Sequence, residues 1–310
     1  MQQLVQQLLQ QINQAIYGKT TETKLALACL LAQGHLLIED LPGMGKTTLA
    51  HALANSLNLS FQRIQFTSDL LPADVVGLSM YLADQQQFSL HKGPIFSQVL
   101  LADEINRASP KTQSALLEAM EERQVSIDGT SYSLPEPFFV IATQNPTYHA
   151  GTYPLPESQL DRFMMRLTLG FPDQQAEKQI LLATNKIPSA TLADKPASII
   201  NLQQFIAMQQ AVNNIYCSDS ILNYIIALCQ ISREPEFAGN PLSPRAGKAL
   251  LACAKAWAFI EQREQILPED VQAVFSEVCQ HRLSGQSAHF HQVEQNLAMQ
   301  LLQQVDPTCC

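Results

Sequence analysis

The sequence predicts a doubly wound α/β fold with a parallel sheet, followed by a C-terminal all-α domain. Up to about residue 170, short apolar runs typical of buried strands alternate with longer helical patterns. After residue 172 the strand signal fades and helical patterns follow, beginning near Leu202, Ile221, Arg245 and Pro268. We therefore expect an α/β domain at residues 1–172 and a helical domain at residues 173–310, with a loosely ordered connector at residues 186–198.

The chain begins with a predicted amphipathic helix. Apolar residues recur at four-residue spacing, with glutamines between them, at Leu4, Leu8, Ile12 and Ile16. This spacing places the four side chains on one face of a helix. Glutamine-rich segments can be of low complexity, but the regular apolar stripe favours a helix that packs on the core.

The first predicted strand, residues 35–38, leads into a glycine-rich turn that opens a helix. Backbone N–H groups of such a turn converge on an anion, and the helix N-terminus adds a partial positive charge. Lys46 can reach the outer phosphates of a nucleotide, and Thr47 offers a hydroxyl ligand for Mg²⁺. The predicted nucleotide contacts in this segment are Pro42, Gly43, Met44, Gly45, Lys46, Thr47 and Thr48. Asp40 stands where the strict form of this loop has its first glycine.

Two further predicted strands end in polar residues. An apolar run from residue 99 ends in Asp103 and Glu104, and another at residues 138–143 leads to Asn145. Ligands of open parallel sheets bind at the carboxyl edge, where these residues should meet. Asp103 is predicted to hold the Mg²⁺ shell, and Glu104 to polarise a water for attack on the terminal phosphate. Asn145 is either a sensor of phosphate or water, or a routine turn residue before proline.

Two predicted hairpins interrupt this core. Their paired strand patterns lie at residues 77–82 with 87–90, and at residues 125–127 with 132–134. Residues 78–90 contain no lysine or arginine, and neither do residues 124–134. A hairpin that tracks nucleic-acid phosphates should be basic, so both hairpins favour a protein client. The net charge of −9 points weakly in the same direction.

Together these segments resemble the MoxR-type AAA+ ATPases, within the clade that carries an insert in its second helix. The resemblance covers roughly residues 34–283 and is most specific from residue 35 to residue 170. The segments that carry it, in family order, are residues 39–47, 101–108, 142–146, 160–163 and 243–246. The family commonly carries an acidic residue at the position of Asp40, so the missing glycine fits the resemblance.

The resemblance implies a role for each polar residue of the core. Asp103 and Glu104 correspond to the Walker B pair, and Asn145 corresponds to sensor 1. Arg245 corresponds to sensor 2, which reaches the γ-phosphate from a helical lid. The core is thereby expected to be a P-loop NTPase domain of the AAA+ type, and the helical domain its lid.

Other segments acquire roles from the resemblance alone. Arg162 corresponds to the arginine finger, which acts on the nucleotide of the neighbouring subunit, although by itself it could be a surface cation at a helix C-terminus. Tyr17 and Gly18 occupy the place of the segment that packs on adenine. The two hairpins are expected to project towards the pore or partner face of a ring.

The function implied by the resemblance is hydrolysis of ATP to ADP and phosphate with Mg²⁺. The protein is expected to form a homo-oligomeric ring, with a hexamer as the expected assembly, and to remodel a protein client. MoxR-type proteins commonly work with von Willebrand factor A domain proteins, so such a partner is expected. A nucleic-acid motor, a magnesium-chelatase-like subunit and a nucleotide-gated scaffold with little turnover stay open as alternatives.

Composition favours a cytoplasmic location for this chain of 310 residues. No apolar run approaches the roughly 18 to 20 residues that span a bilayer, and the first residues lack the features of a signal peptide. The seven cysteines are scattered, mostly in apolar helical patterns, as expected of reduced thiols. We expect neither a membrane span nor nucleic-acid binding.

Overall fold

The computed structural model describes residues 2–82, 84, 86–145, 152–183, 199–284 and 296–307. The predicted connector at residues 186–198 lies outside these residues. The strands within them are β1 (Leu36–Glu39), β2 (Phe61–Gln65), β3 (Gly77–Leu82), β4 (Gln87–Lys92), β5 (Val99–Asp103), β6 (Gln124–Ile127), β7 (Thr130–Ser133), β8 (Phe139–Gln144) and β9 (Met165–Leu167).

Five of these strands form one parallel sheet in the order β2, β5, β8, β1, β9. The register sets Gln65 beside Asp103, and Glu39 beside Gln144, so the last residues of neighbouring strands are level. β5 and β8 are central and buried along their whole length. This sheet confirms the predicted α/β class, and β1, β5 and β8 are the three strands that the sequence singled out.

Helices cover both faces of the sheet and form the C-terminal part of the chain. In the described residues they are α1 (Gln2–Ala15), α2 (Thr20–Leu31), α3 (Lys46–Ser56), α4 (Pro72–Val76), α5 (Pro110–Glu122), α6 (Glu157–Leu160), α7 (Gln174–Ala183), α8 (Leu202–Asn213), α9 (Asp219–Ile231), α10 (Pro244–Ile260), α11 (Pro268–Leu283) and α12 (Leu297–Gln304). None of the described helices is long and apolar enough to cross a membrane.

Side-chain caps fix where several of the C-terminal helices begin. Asn201 Oδ1 accepts a hydrogen bond from the Gln204 N–H at the start of α8, and Gln204 Oε1 accepts one from the Asn201 N–H. The Ser218 and Ser243 hydroxyls cap α9 and α10 in the same manner, and Pro244 begins α10. These starts agree with the helical patterns read from the sequence.

The apolar core consists of two clusters, one on each face of the sheet. The larger joins α1, α2 and α3 to helices α8 to α12, so the helical domain packs against the first two helices. Leu8 and Ile12 are fully buried in it, which confirms that the N-terminal helix docks on the core. Because this cluster runs through both parts of the chain, the boundary at residues 172 and 173 stays a prediction.

The hairpin of β3 and β4 follows α4 directly, and its base is closed by backbone contacts. Gly77 has φ +97°, and a Cβ there would lie 2.3 Å from the carbonyl oxygen of His91. A Cβ on Gly93 would lie 2.3 Å from the carbonyl oxygen of Val75. Only glycine allows this approach, and it fixes the hairpin to α4.

The outer part of the same hairpin exposes apolar side chains. Tyr81 and Phe88 face each other across the strands with their ring centroids 5.3 Å apart, and Phe88 is 73% exposed. Met80 is also exposed. The predicted second hairpin is formed by β6 and β7. Both predicted hairpins are therefore present, although residues 83 and 85 of the first turn lie outside the described part of the chain.

A buried histidine connects the sheet to α5. The His35 Nδ1 accepts a hydrogen bond from the Val140 N–H at 3.0 Å, so Nε2 carries the ring proton and donates to the Met120 carbonyl oxygen at 3.1 Å. Burial lowers the pKa of His35 from 6.5 to about 4. The neutral ring is thus part of the native fold.

We predict that His35 makes folding sensitive to mild acid. Between pH 6.5 and pH 4 the unfolded chain binds a proton at this ring and the native protein does not, so the stability present above pH 6.5 is lost as pH falls towards 4. The loss should reach about 3 kcal/mol across this window. Denaturant unfolding at several pH values should show a shallower pH dependence for His35→Gln than for wild type. His91→Gln, on the exposed hairpin, is the matched control, and equal slopes for wild type and His35→Gln would contradict the prediction.

Candidate nucleotide-binding site

The glycine-rich turn between β1 and α3 has the form of an anion-binding loop. Gly43 and Gly45 have φ values of +85° and +87°, in the left-handed region that favours glycine. A Cβ at either position would meet nothing within 4 Å, so open space lies in front of the loop. Gly45 is the N-cap of α3 and no side chain caps this helix within the described residues. The N–H groups of its first turn are therefore available to an anion.

Lys46 holds its ammonium group between the loop and the end of β8. Its Nζ donates to the carbonyl oxygens of Asp40 at 2.7 Å and Gln144 at 3.3 Å, and to Asn145 Oδ1 at 2.9 Å. Burial lowers the pKa of Lys46, and nearby carboxylates, with Asp103 first, act in the opposite direction. The three N–H groups of the ammonium are thus engaged by neutral acceptors, and a phosphate would take the place of one or more of these acceptors.

Asp40, which stands in place of the first glycine of the loop, is held by hydrogen bonds to backbone groups. The carboxylate is buried and accepts hydrogen bonds from the Leu41 N–H at 2.8 Å and from the Gly170 N–H at 2.6 Å. Its own N–H donates to the Gln144 carbonyl oxygen at 3.2 Å. Asp40 therefore ties the start of the loop to the segment that follows β9.

Asp103 ends β5 with both carboxylate oxygens engaged. Oδ1 accepts from the Thr143 hydroxyl at 2.5 Å, and Oδ2 accepts from Arg63 Nη2 at 2.6 Å. Mg²⁺ prefers oxygen ligands, and a carboxylate and a hydroxyl are both suitable donors. Thr47 is half-buried in the first turn of α3. The two residues predicted to hold Mg²⁺ thus fit it by their chemistry.

Glu104 follows β5 with a left-handed backbone, φ +56° and ψ +49°. Non-glycine residues seldom adopt this conformation, and it recurs at functional sites. The Glu104 N–H donates to the Thr143 hydroxyl at 2.9 Å. Its carboxylate accepts from Asn145 Nδ2 at 3.0 Å, from Gln65 Nε2 at 2.9 Å and from Arg107 at 3.1 Å. Asn145 therefore contacts both Lys46 and Glu104, which joins the three predicted residues in one network.

The turn between α1 and α2 contacts the segment that follows Gly170, the residue whose N–H donates to Asp40. A Cβ on Gly18, which has φ +72°, would lie 2.7 Å from the Ala176 Cβ. Lys19 Nζ donates to the Phe171 carbonyl oxygen at 3.0 Å. Tyr17 is half-buried in this turn. The structure thus links the turn to the loop through residues 170–173, while contact of Tyr17 and Gly18 with adenine stays a prediction.

The two predicted arginines lie together, apart from this network. Arg162, which follows α6, donates from Nη1 to the Leu117 carbonyl oxygen at 2.6 Å, and its Nη2 lies 3.1 Å from Glu121 Oε2. Arg245, at the start of α10, places Nη2 2.9 Å from Glu121 Oε1 and Nη1 3.9 Å from Asp161 Oδ2. Among the described residues, neither guanidinium contacts the glycine-rich loop.

A cavity of about 390 Å³ opens beside this pair of arginines. Its charged lining residues are Glu121, Arg123, Asp161, Arg162, Arg245, Lys248 and Arg282. Five cations against two acidic residues leave an excess of three positive charges, in a chain with a net charge of −9. Such a cavity favours a polyanionic ligand.

Arg282 of α11 fixes the helical domain to the segment that carries Arg162. Its Nε donates to Asp161 Oδ1 at 2.7 Å and its Nη2 to the Phe163 carbonyl oxygen at 2.8 Å. The Arg282 side chain is only 6% exposed. The helical domain is therefore bonded to the residues on both sides of Arg162.

Several residues of the site were not predicted as such. Their common property is that they orient the predicted groups, and they are Arg63, Gln65, Arg107, Glu121, Thr143 and Arg282. Thr143 could have been found, because it ends a predicted strand. Glu121 also carried a signal, since a carboxylate in the last turn of a helix opposes the helix dipole and indicates a cationic partner.

The comparisons with known proteins agree with this geometry. The ATPase family associated with various cellular activities matches residues 35–165, and an AAA lid domain matches residues 236–302. An uncharacterized Bacillus subtilis protein, YeaC, is 46% identical over 89% of this chain and 85% of its own. The chaperone MoxR1 of Mycobacterium tuberculosis is 36% identical over 88% of this chain and 74% of its own.

A solved structure agrees over nearly the whole chain. A crystal structure from Cytophaga hutchinsonii, described as a candidate ATPase, superimposes with a TM-score of 0.88 at 34% identity. The superposition covers 98% of this chain and 95% of the other. The first matched region contains the loop and the network of Lys46, Glu104 and Asn145, and the second contains Arg245 and Arg282. A lid domain is thus present in the C-terminal part of the chain, as the sequence predicted, while its predicted extent over residues 173–310 stays a prediction.

We predict that Asp40 stabilises the loop. Asp40→Ala leaves the N–H groups of Leu41 and Gly170 without their acceptor, which should lower the free energy of unfolding by about 1 to 3 kcal/mol. Asp40→Asn keeps a carbonyl oxygen and should cost less. Denaturant unfolding measures both, with Asp84→Ala on the exposed hairpin turn as the matched control. A loss in Asp40→Ala no larger than in that control would show that the two hydrogen bonds do not hold the loop.

Proposed function

Because the chain belongs to the MoxR family of AAA+ ATPases, we propose that it binds ATP with Mg²⁺ and hydrolyses it to ADP and phosphate. The observation that carries the proposal is the hydrogen-bonded network of Lys46, Asn145 and Glu104 at the end of the phosphate loop. A cation for the phosphates, a polar sensor and a carboxylate base are the groups that this reaction needs.

In this proposal each residue of the network has a separate task. The N–H groups at the start of α3 and the Lys46 ammonium bind the phosphates. Mg²⁺, when bound, neutralises charge on the phosphate oxygens, and Thr47 and Asp103 are the residues that would hold it. Glu104 accepts the proton of the attacking water, and Asn145 keeps the Glu104 carboxylate oriented through Nδ2.

Arg162 and Arg245 act, we propose, on the nucleotide of a neighbouring subunit in a homo-oligomeric ring, with six subunits expected. Both guanidinium groups are held by Glu121 in the last turn of α5, and none of their contacts within the described chain involves the phosphate loop. Fixed cations that arrive across an interface stabilise the spread negative charge of phosphoryl transfer. Arg245 would then act from the lid of one subunit on the site of the next.

The proposed client is a protein, as the name of the MoxR1 relative, a chaperone, suggests. The exposed part of the β3–β4 hairpin presents Met80, Tyr81 and Phe88, and residues 78–90 contain no lysine or arginine. Such a surface suits apolar polypeptide better than nucleic-acid phosphates. A von Willebrand factor A domain partner and a cytoplasmic location belong to the proposal through the family resemblance.

We predict that Glu104→Gln binds ATP but does not turn it over. The amide keeps the shape of the side chain but cannot accept a proton, so hydrolysis should fall by about 10² to 10⁴-fold. Lys46→Ala should instead lose nucleotide binding. Phosphate release measures turnover and a fluorescent ATP analogue measures binding. Glu118→Gln and Lys111→Ala, on the exposed surface of α5, are the matched controls. Turnover at the wild-type rate in Glu104→Gln would remove the assignment of Glu104 as the base.

We predict that Arg162 and Arg245 act in trans. Each alanine variant should bind ATP normally and lose turnover, by about 10³-fold for Arg162→Ala. Mixing Arg162→Ala or Arg245→Ala with Lys46→Ala should restore part of the activity. Restoration is expected because one kind of interface then pairs an intact loop with an intact arginine.

The mixing experiment needs proof that mixed assemblies form, which two affinity tags and sequential purification provide. Wild type mixed with Lys46→Ala shows whether an assembly tolerates inactive sites. If it does, and verified mixtures of Arg162→Ala with Lys46→Ala stay inactive, Arg162 does not act on the neighbouring site. The same outcome for Arg245→Ala would exclude its action in trans.

A further inference from the structure

Glu121 joins the two arginines that are proposed to act on a neighbouring nucleotide, so the inference made here rests on that proposed function. Glu121 Oε2 lies 3.1 Å from Arg162 Nη2, and Oε1 lies 2.9 Å from Arg245 Nη2. Arg162 belongs to the α/β core and Arg245 to the lid. One negative charge therefore holds side by side two guanidinium groups that would otherwise repel each other.

The position of Glu121 on α5 is by itself unfavourable for a carboxylate. The residue lies in the last turn of the helix, where the partial negative charge of the helix end disfavours an acidic side chain. No basic residue lies in this turn. Within the described part of the chain, both carboxylate oxygens are directed to Arg162 and Arg245. The stabilising interaction of this carboxylate is the arginine pair.

The surrounding cavity lets a stronger anion compete for these arginines. Asp161, the other acidic lining residue, is held by Arg282 at 2.7 Å and lies 3.9 Å from Arg245 Nη1, so Glu121 is the nearer negative charge and the one that both arginines share. A phosphate group carries more charge and more acceptor oxygens than one carboxylate, and arginine binds it in a fork-like geometry. The Glu121 side chain is 37% exposed, which leaves it free to rotate into solvent.

We propose that Glu121 is a displaceable counter-ion, which holds Arg162 and Arg245 together in the free subunit and yields them to the γ-phosphate of the neighbouring subunit's nucleotide. Removal of its charge then removes a competitor of the phosphate. Assembly driven by nucleotide should become tighter. If Glu121 served only to position the arginines, removing its charge would instead weaken the interface, and nucleotide-driven assembly would need a higher protein concentration.

The experiment compares the protein concentration at half-assembly in wild type and Glu121→Gln, by mass photometry with Mg²⁺ and a non-hydrolysable ATP analogue. The midpoint should fall about three- to tenfold in Glu121→Gln, the range expected for the loss of exposed ion pairs. Without nucleotide it should not change. Glu122→Gln alters the net charge equally on the neighbouring exposed residue, so it should match wild type. Higher ionic strength should reduce the effect.

An unchanged or higher midpoint for Glu121→Gln, relative to Glu122→Gln, overturns the proposal. Thermal unfolding confirms that the variants fold. In Arg162→Ala/Arg245→Ala, further change of Glu121 to glutamine should have no effect, because the competing cations are gone. If this double variant loses turnover while Glu121→Gln assembles like wild type, only the counter-ion role fails. If the double variant assembles and hydrolyses ATP like wild type, the trans role of the arginines fails and the counter-ion role fails with it. If wild type shows no nucleotide-dependent assembly, the counter-ion role fails, and the trans role is decided by the mixing experiment.

Discussion

Parallel pairing of β5, β8 and β1 brings their carboxyl ends to one edge, and the candidate site depends on that alignment. Thr143, on the central strand β8, donates its hydroxyl proton to Asp103 and accepts the Glu104 N–H. One residue after β8, Asn145 contacts Lys46 on one side and Glu104 on the other. A shift of β8 by one residue would reverse the faces of these side chains and break all four contacts.

The sequence indicated the residues of the network at the sheet edge, because each lies at the end of a recognisable strand or in the loop that follows it. Lys46, Asp103, Glu104 and Asn145 follow from this local pattern. β2 was not singled out, because as an edge strand it is half polar, and β9 is only three residues long. Local patterns therefore identified the central strands and missed the edges of the sheet.

Residues that act through long-range contacts could not be read from local patterns. Arg63 and Gln65 reach Asp103 and Glu104 across about forty residues of sequence, and nothing near them indicates these partners. The position of Arg245 could not be predicted from the sequence either, because it depends on how the lid packs against the α/β core. In the structure, Arg282 of the lid donates to Asp161, the residue before Arg162. With the lid held in this way, Arg245 lies beside Arg162, and both guanidinium groups pair with Glu121.

The glycines at the base of the first hairpin have a mechanical consequence. At the base of the hairpin, Gly77 and Gly93 pack directly against backbone atoms, with no side chain between them. We therefore expect the hairpin to move together with α4. α4 in turn packs on α5, and Thr112 of α5 donates to the Leu70 carbonyl oxygen at 2.7 Å. With about 17 Å of strand between root and tip, a tilt of α4 by about 5° moves the tip by about 1.5 Å. A small displacement of α5, the helix whose last turn holds Glu121 and the arginine pair, should therefore be transmitted through α4 and move the tip of the hairpin.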